Sequence, residues 1–208
     1  MKKSFIVALT GASGAGYGLK LTGELLRAGY GVDMITSPTA RLIINDEVGL
    51  DIDAAEGSKK AAKVLEFIGS ALGAKSGKLS LYPSEMITAP LASGSALKRT
   101  MIVCPCSMGT LGRISSGVSF NLIDRSADCI LKERGELILV PRETPLNAIH
   151  LENMLKLTHA GATIVPAMPA FYNKPKSIDD MVDFMVGKIL DLLGVENTLY
   201  KRWEGDRA

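Results

Sequence analysis

The sequence predicts an α/β protein: a three-layer, doubly wound and mostly parallel sheet with helices on both faces. Two observations carry this. Short apolar runs rich in β-formers recur at 5–9, 32–36, 101–104, 137–140 and 163–165. The stretches between them show helical spacing, and strand alternating with helix means parallel strands covered on both sides. A third observation fixes the scale. With 208 residues, 47% of them hydrophobic, the chain is expected to bury roughly 70% of its unfolded surface in one core. The expectation is a single domain over 1–208, with 195–208 a tail packed at a subunit interface.

Each element has its own signal. Lys2 and Lys3 followed by an apolar run imitate a secretory signal, but the run 5–9 has five residues where a signal core has roughly 7–15, so it reads as a buried strand. Leu19, Thr22, Leu25 and Leu26 share one helical face, and Arg27 and Gly29 mark the helix end. The middle section 51–95 is less regular, with a helix near 60–68 and a short strand at 79–82, and is the natural place for a lid or interface segment. Amphipathic spacing returns at 154–160 and 178–193. Trp203, the only Trp, needs a partner surface to bury it.

Charge and cysteine usage narrow the function. Lys+Arg number 24 against 22 Asp+Glu, scattered along the chain, which argues against a nucleic-acid or membrane-surface partner. No apolar run reaches the roughly 18 residues of a membrane span. Cys104, Cys106 and Cys129 match neither a redox pair nor a zinc spacing and read as reduced thiols packed as small hydrophobes, as in a cytoplasmic protein. His150 and His159 do not share a helix face, so no metal pair arises.

The first strand runs into Thr10-Gly11-Ala12-Ser13-Gly14-Ala15-Gly16-Tyr17-Gly18 and then a helix. Such a turn lets backbone N–H groups and a helix N-terminus face an anion. The alternative is that small residues merely pack the turn tightly, and the position after strand one favours phosphate. The spacing is G-x-x-G-x-G, with the Ser13 hydroxyl inside the loop. Asp33 lies about 20 residues on, the count of a dinucleotide ribose ligand, yet near the start of its strand. Ser13 and Ser37 suit a mononucleotide better. Tyr172 and Lys176 form a Y-x-x-x-K pair, but Pro175 forbids the helix that would align them.

A second cluster, Cys104-Pro105-Cys106-Ser107-Met108-Gly109-Thr110, again places hydroxyls and a glycine where a strand meets a helix. Ser107 alone reads as an N-cap; together the two turns converge on one ligand. The small-residue stretch from Pro90 to Ser95 reads as a flexible loop or a closing segment. Arg125 and Lys132 read first as solvated helix cations. Arg142 and Glu143 follow a buried strand at its carboxyl end, where an Arg clamps phosphate and a Glu relays a proton.

The residues Thr10 to Ala15 with Tyr17-Gly18, then Cys106-Ser107, Leu131-Lys132-Glu133-Arg134, 139–145, His150-Leu151 and Pro169-Ala170-Phe171-Tyr172 resemble the flavin prenyltransferases of the UbiX type. The likeness runs from the first strand to Trp203. It implies a flavodoxin-like homo-oligomer, typically a dodecamer, with FMN at subunit interfaces. It also implies metal-independent transfer of a dimethylallyl group from dimethylallyl phosphate to reduced FMN, giving the prenylated flavin that UbiD-type decarboxylases use. Carried onto this sequence, Gly11, Ala12, Ser13, Ser37, Ser107, Met108, Gly109, Thr110 and Arg142 fall where the family holds FMN. Lys132, Arg142 and Tyr172 match positions that grip the prenyl phosphate. Glu143 with Ser13 matches the proton-handling positions, and Arg125 another Arg of the family site. Lys188 stands where the family pattern has an Arg, which keeps the charge and loses the bidentate fork.

Other readings remain at this level. An NAD(P)-dependent oxidoreductase is motivated by the glycine turn and Asp33, and a noncatalytic FMN-binding carrier by Lys188. A relative of the phosphopantothenoylcysteine decarboxylases would need a catalytic His that neither histidine supplies.

Overall fold

The computed structural model describes residues 4–57, 59–72, 77–94 and 100–203. Six strands, β1 (Ser4–Leu9), β2 (Gly31–Thr36), β3 (Leu79–Pro83), β4 (Thr100–Cys106), β5 (Glu136–Pro141) and β6 (Thr163–Ile164), form one parallel sheet in the order β3-β2-β1-β4-β5-β6. Between them run the helices α1 (Ala15–Arg27), α2 (Pro38–Val48), α3 (Lys59–Leu72), α4 (Met108–Ser115), α5 (Leu122–Lys132) and α6 (Ala148–His159), and α7 (Ile178–Leu192) follows. Ser95 and the segment 204–208 of the predicted tail lie outside the described residues.

The central strands are apolar almost without interruption because helices cover both faces. On one face Ile6 and Ala8 of β1, Met101 and Val103 of β4, and Leu137 and Leu139 of β5 pack with Leu111, Ile114, Ile123, Ala127 and Leu157 from α4, α5 and α6. Alternation along the strand turns Phe5, Val7 and Leu9 to the other face, and α1 packs against β1, β2 and β4. There the ring of Phe5 meets Tyr30 edge-on at 5.2 Å.

All six expected strands form, and β4 continues to Cys106, past the predicted end at 104. Helix α6 starts at Ala148, six residues before the predicted 154. Ile149, Leu151 and Leu155 on it are 65%, 52% and 58% exposed, so its apolar spacing does not mark a buried face. Helix α2 was not expected from the apolar pattern, since it buries only Ala40 and Ile44; Ser37 caps it and Pro38 opens it. In the middle section, Arg41 of α2 ties to Asp53 at 2.9 Å and Glu85 at 3.2 Å. Arg41 also lines a cavity of about 350 Å³ together with Ile52, Lys60, Leu81 and Met86.

The chain divides into two compact units, Met1–Ala167 and Met168–Ala208. The first holds the sheet and α1 to α6. In the second, Tyr172, Phe184, Tyr200 and Trp203 form an edge-to-face aromatic chain with centroid spacings of 5.1–5.8 Å. Asp191 on α7 accepts from the Tyr200 hydroxyl at 2.5 Å and from Arg202 at 2.7 and 3.1 Å. Trp203 is 73% exposed.

Candidate active site

Strand order reverses between β1 and β4, and the crevice at the carboxyl ends of those strands is where open α/β sheets bind ligands. The turns after β2, β1, β4 and β5 stand side by side along this edge. Three inter-strand spacings of roughly 4.8 Å make the row about 14 Å long. It carries Ser37, then Gly11 to Ser13, then Ser107 to Thr110, then Arg142 and Glu143, so most of the site residues expected from the sequence come together.

The glycines of the first turn have separate reasons. A side chain at Gly11 would strike Thr39 at 2.8 Å, and Gly14 sits at φ 104°, a left-handed conformation that side chains resist. At Gly18 an added Cβ would collide with the backbone carbonyl of Cys104, so this glycine lets α1 lie close on β4. Ser13 remains exposed. The amides of Gly14 and Ala15 donate to the Glu47 carboxylate at 2.8–3.0 Å. The N-terminus of α1 therefore holds an internal anion, and the expected phosphate seat at that helix end is taken.

Two other helices open on the same edge. Ser37 accepts from the Ala40 amide at 3.1 Å at the start of α2, and Ser107 from the Thr110 amide at 3.4 Å at the start of α4. Ser107 is an N-cap, as the simpler reading had it, and its half-exposed hydroxyl still faces the edge. Thr10 joins the two turns: its hydroxyl donates to the Pro105 carbonyl at 2.9 Å and accepts from the Ser107 amide at 2.7 Å. The Arg142 amide donates to the Cys106 carbonyl at 3.3 Å, which ties the β5 turn to the β4 turn. Glu143 accepts from the Thr144 amide at 3.1 Å, a bond that orients its half-buried carboxyl group.

Tyr17 on the first turn of α1 feels both flanks of this row. Burial chiefly, then the Cys104 thiol, raises its phenol above the usual range; Arg142 opposes that and Glu47 adds to it. Tyr17, Glu47 and Thr10 were not singled out for roles in the sequence. Glu47 meets Gly14 across 33 residues, a separation that leaves no local signal.

Lys132 does not join the edge in one chain. Lys132 ends α5 just before β5 begins, at the opposite end of the sheet, about 20 Å from Ser107 by strand rise. Its ammonium lies against Gly94 and 3.5 Å from Glu133. Arg125, nearer the start of α5, donates to the Ala92 carbonyl at 3.1 Å and to Asp128 at 2.8 Å. Tyr172 and Lys188 belong to the second unit, Tyr172 in its aromatic chain and Lys188 exposed on α7. As Pro175 requires, 172–176 is not helical, so the Y-x-x-x-K pair is not aligned. Asp33 sits mid-strand, paired with Ile6 and Ser80, away from the ligand edge. Among the described residues no group of His, Cys, Asp and Glu is placed to hold a metal, and no helix is long and apolar enough to cross a membrane.

A sheet of this order with hydroxyl-bearing turns at its switch point is a nucleotide-binding architecture, and the Flavoprotein family model matches residues 1–190. The flavin prenyltransferase UbiX of Halalkalibacterium halodurans is 46% identical over 99% of this chain and 96% of that protein. The structure of AnUbiX in complex with FMN and dimethylallyl pyrophosphate superposes with a TM-score of 0.83 at 40% identity, covering 99% of both chains. A dodecameric FMN-dependent UbiX-like decarboxylase from Escherichia coli gives 0.80 at 37% identity, covering 97% of this chain and all of that one. The chain belongs to the UbiX family of flavin prenyltransferases.

Proposed function

We propose that this protein joins a dimethylallyl group from dimethylallyl phosphate to reduced FMN, and that the prenylated flavin serves a UbiD-type decarboxylase. The observation that carries the reading is the row of four turns across the β1/β4 reversal, with Ser37, Ser13, Ser107 and Arg142 on one edge. The residues fit FMN. With the start of α1 closed by Glu47, the starts of α2 and α4 are the helix ends open to an anion. A Cβ at Gly109 would find nothing nearer than Arg113 at 3.9 Å, so the start of α4 is open to a flat ring.

Reduced FMN, when bound, supplies the nucleophilic ring atoms. The protein's own residues do the rest. Gly11, Ala12, Ser13, Ser37, Ser107 to Thr110 and Arg142 hold the flavin, and Arg142, Tyr172, Lys188 and Lys132 grip the phosphate of the donor. As the allylic C–O bond breaks, the electron pair leaves on the phosphate oxygen, and fixed cations and a phenol stabilise that charge. Glu143, oriented by Thr144, takes up the proton released from the flavin, with Ser13 as its partner.

Because Lys132 stands at the far end of its own sheet, its role requires a second copy. We propose a homo-oligomer, a dodecamer by analogy with the relative from Escherichia coli, in which a neighbour supplies Lys132 and Arg125. The exposed Trp203 supports packing of the 195–208 tail at such an interface, within a single functional domain over 1–208 acting in the cytoplasm.

The test is mass spectrometry of the flavin released after anaerobic incubation with reduced FMN and either dimethylallyl phosphate or the pyrophosphate. A mass gain of one C5 unit with the monophosphate is expected. No gain with either donor would overturn the reading.

A further inference from the structure

Behind the second turn lies a chain of polar side chains of which the family resemblance uses Ser107 and Thr110 and leaves out Arg113 and Asp124. Asp124 on α5 is fully buried, and its amide is capped by Asn121 at 3.0 Å. Its carboxylate takes two bonds from Arg113 of α4, from Nε at 2.7 Å and Nη2 at 3.3 Å. The same Nη2 donates to the Thr110 hydroxyl at 3.1 Å, and that oxygen is 3.1 Å from the Ser107 hydroxyl. The order is thus Asp124, Arg113, Thr110, Ser107, from a buried carboxylate to the ligand edge.

Proton counting gives this order a direction. A guanidinium has donors and no acceptor, so the Thr110 oxygen must accept from Arg113. One hydroxyl proton lies between Thr110 and Ser107, and the other is left to point outside the pair. Reversing the pair moves that proton from one oxygen to the other without removing it. Ser107 Oγ also accepts the Thr110 amide, which further commits the pair to outward donation. Without Arg113 the Thr110 oxygen regains a free lone pair, so its hydroxyl is no longer held to outward donation and can turn to accept instead, while Ser107 stays bonded to the Thr110 amide.

We propose that Arg113, locked by Asp124, is a positioning residue that sets the Ser107–Thr110 hydroxyl pair to donate to a hydrogen-bond acceptor of the bound flavin, whether a ring carbonyl, a ring nitrogen or a phosphate oxygen. The proposal rests on the reading that this turn holds FMN. Arg113 acts through the hydroxyls and not through net charge, because Asp124 neutralises it.

The test is a double-mutant cycle on the FMN dissociation constant, read by quenching of flavin fluorescence. Arg113→Met with Asp124→Leu removes the ion pair together, so no buried charge is left alone. These two changes should weaken FMN binding roughly tenfold when Ser107 is present and less than twofold in a Ser107→Ala background. Equal weakening in both backgrounds, or none in either, overturns the proposal. Should the paired variant fail to fold, Arg113→Lys keeps the charge beside Asp124 and gives up the planar fork that reaches Thr110; it should reproduce the loss in the parent and not in the Ser107→Ala background, and unchanged affinity again overturns the proposal. Parent protein that binds no FMN would instead remove the functional reading on which the proposal stands.

Discussion

The Thr10 hydroxyl accepts from the backbone amide of Ser107 at 2.7 Å while donating to the Pro105 carbonyl at 2.9 Å. Thr10 is 2% exposed, so neither bond has water to replace it. That buried hydroxyl, with the Thr10 amide donating to the same Pro105 carbonyl at 3.2 Å, fixes the distance between the two turns that frame the crevice.

Thr10→Val keeps the shape and leaves the Ser107 amide without this partner, while the Pro105 carbonyl keeps its bond from the Thr10 amide at 3.2 Å. Such an unpaired amide costs about 1–3 kcal/mol, and the loss should appear in urea unfolding. FMN affinity should fall with it, since the turns lose their side-chain link, while Thr10→Ser should restore most of both. Unchanged stability in the Val variant would show that the Thr10 hydroxyl is not that link.

Glu47 caps α1 from another helix, giving its carboxylate to the amides of Gly14 and Ala15. Glu47→Ala should cost about 1 kcal/mol, the usual worth of a helix cap with favourable charge. The variant also frees a helix N-terminus, so inorganic phosphate should raise its melting temperature more than that of the parent. Equal phosphate responses would mean the Glu47 carboxylate was not filling an anion seat.

The fold was legible because the central strands are apolar over most of their length and α1 and α3 carry a spaced apolar face. Helix α2 escaped that logic, since it buries two side chains and depends on its Ser37-Pro38 start. The hydroxyls, Arg142 and Glu143 were legible because they sit directly at strand ends. What stayed hidden comes from distance in sequence: Glu47 reaching Gly14, Thr10 reaching Ser107, Arg113 reaching Asp124. Nor does a sequence show that a carboxylate 33 residues away takes the amides of Gly14 and Ala15 at the end of the glycine turn. Lys132 was grouped with Arg142 through family likeness, yet the parallel sheet sets them at opposite ends of one chain.

Gly16 and Gly18 should behave oppositely on replacement by Ala. Nothing lies within 4 Å of a Cβ at Gly16, and Ala there should stabilise α1 by up to about 1 kcal/mol. At Gly18 the obstacle is the backbone carbonyl of Cys104 in a central strand, which cannot move without disturbing the sheet. Gly18→Ala should cost more than about 2 kcal/mol. Thermal unfolding of the two variants decides it, and a tolerated Ala at 18 would refute the close contact of α1 with β4.

Burial pushes the Cys106 thiol up to about 12, the strongest influence on it, with Arg113 opposing and Asp124 assisting. Burial raises the Cys104 thiol as well, and Cys106 adds to that rise. An unfolded thiol ionises near pH 8.5. Below that both states hold the proton and the thiol contributes no pH dependence. Above it the unfolded state loses the proton first, so stability should fall by up to about 1.4 kcal/mol per pH unit for each thiol, until the folded thiol ionises as well. Urea unfolding of the parent and of Cys106→Ala between pH 8 and 10.5 isolates the Cys106 part, because other alkaline groups are common to both proteins. The parent should lose stability more steeply than the variant above pH 8.5, and parallel profiles would show that this thiol is not held protonated by burial.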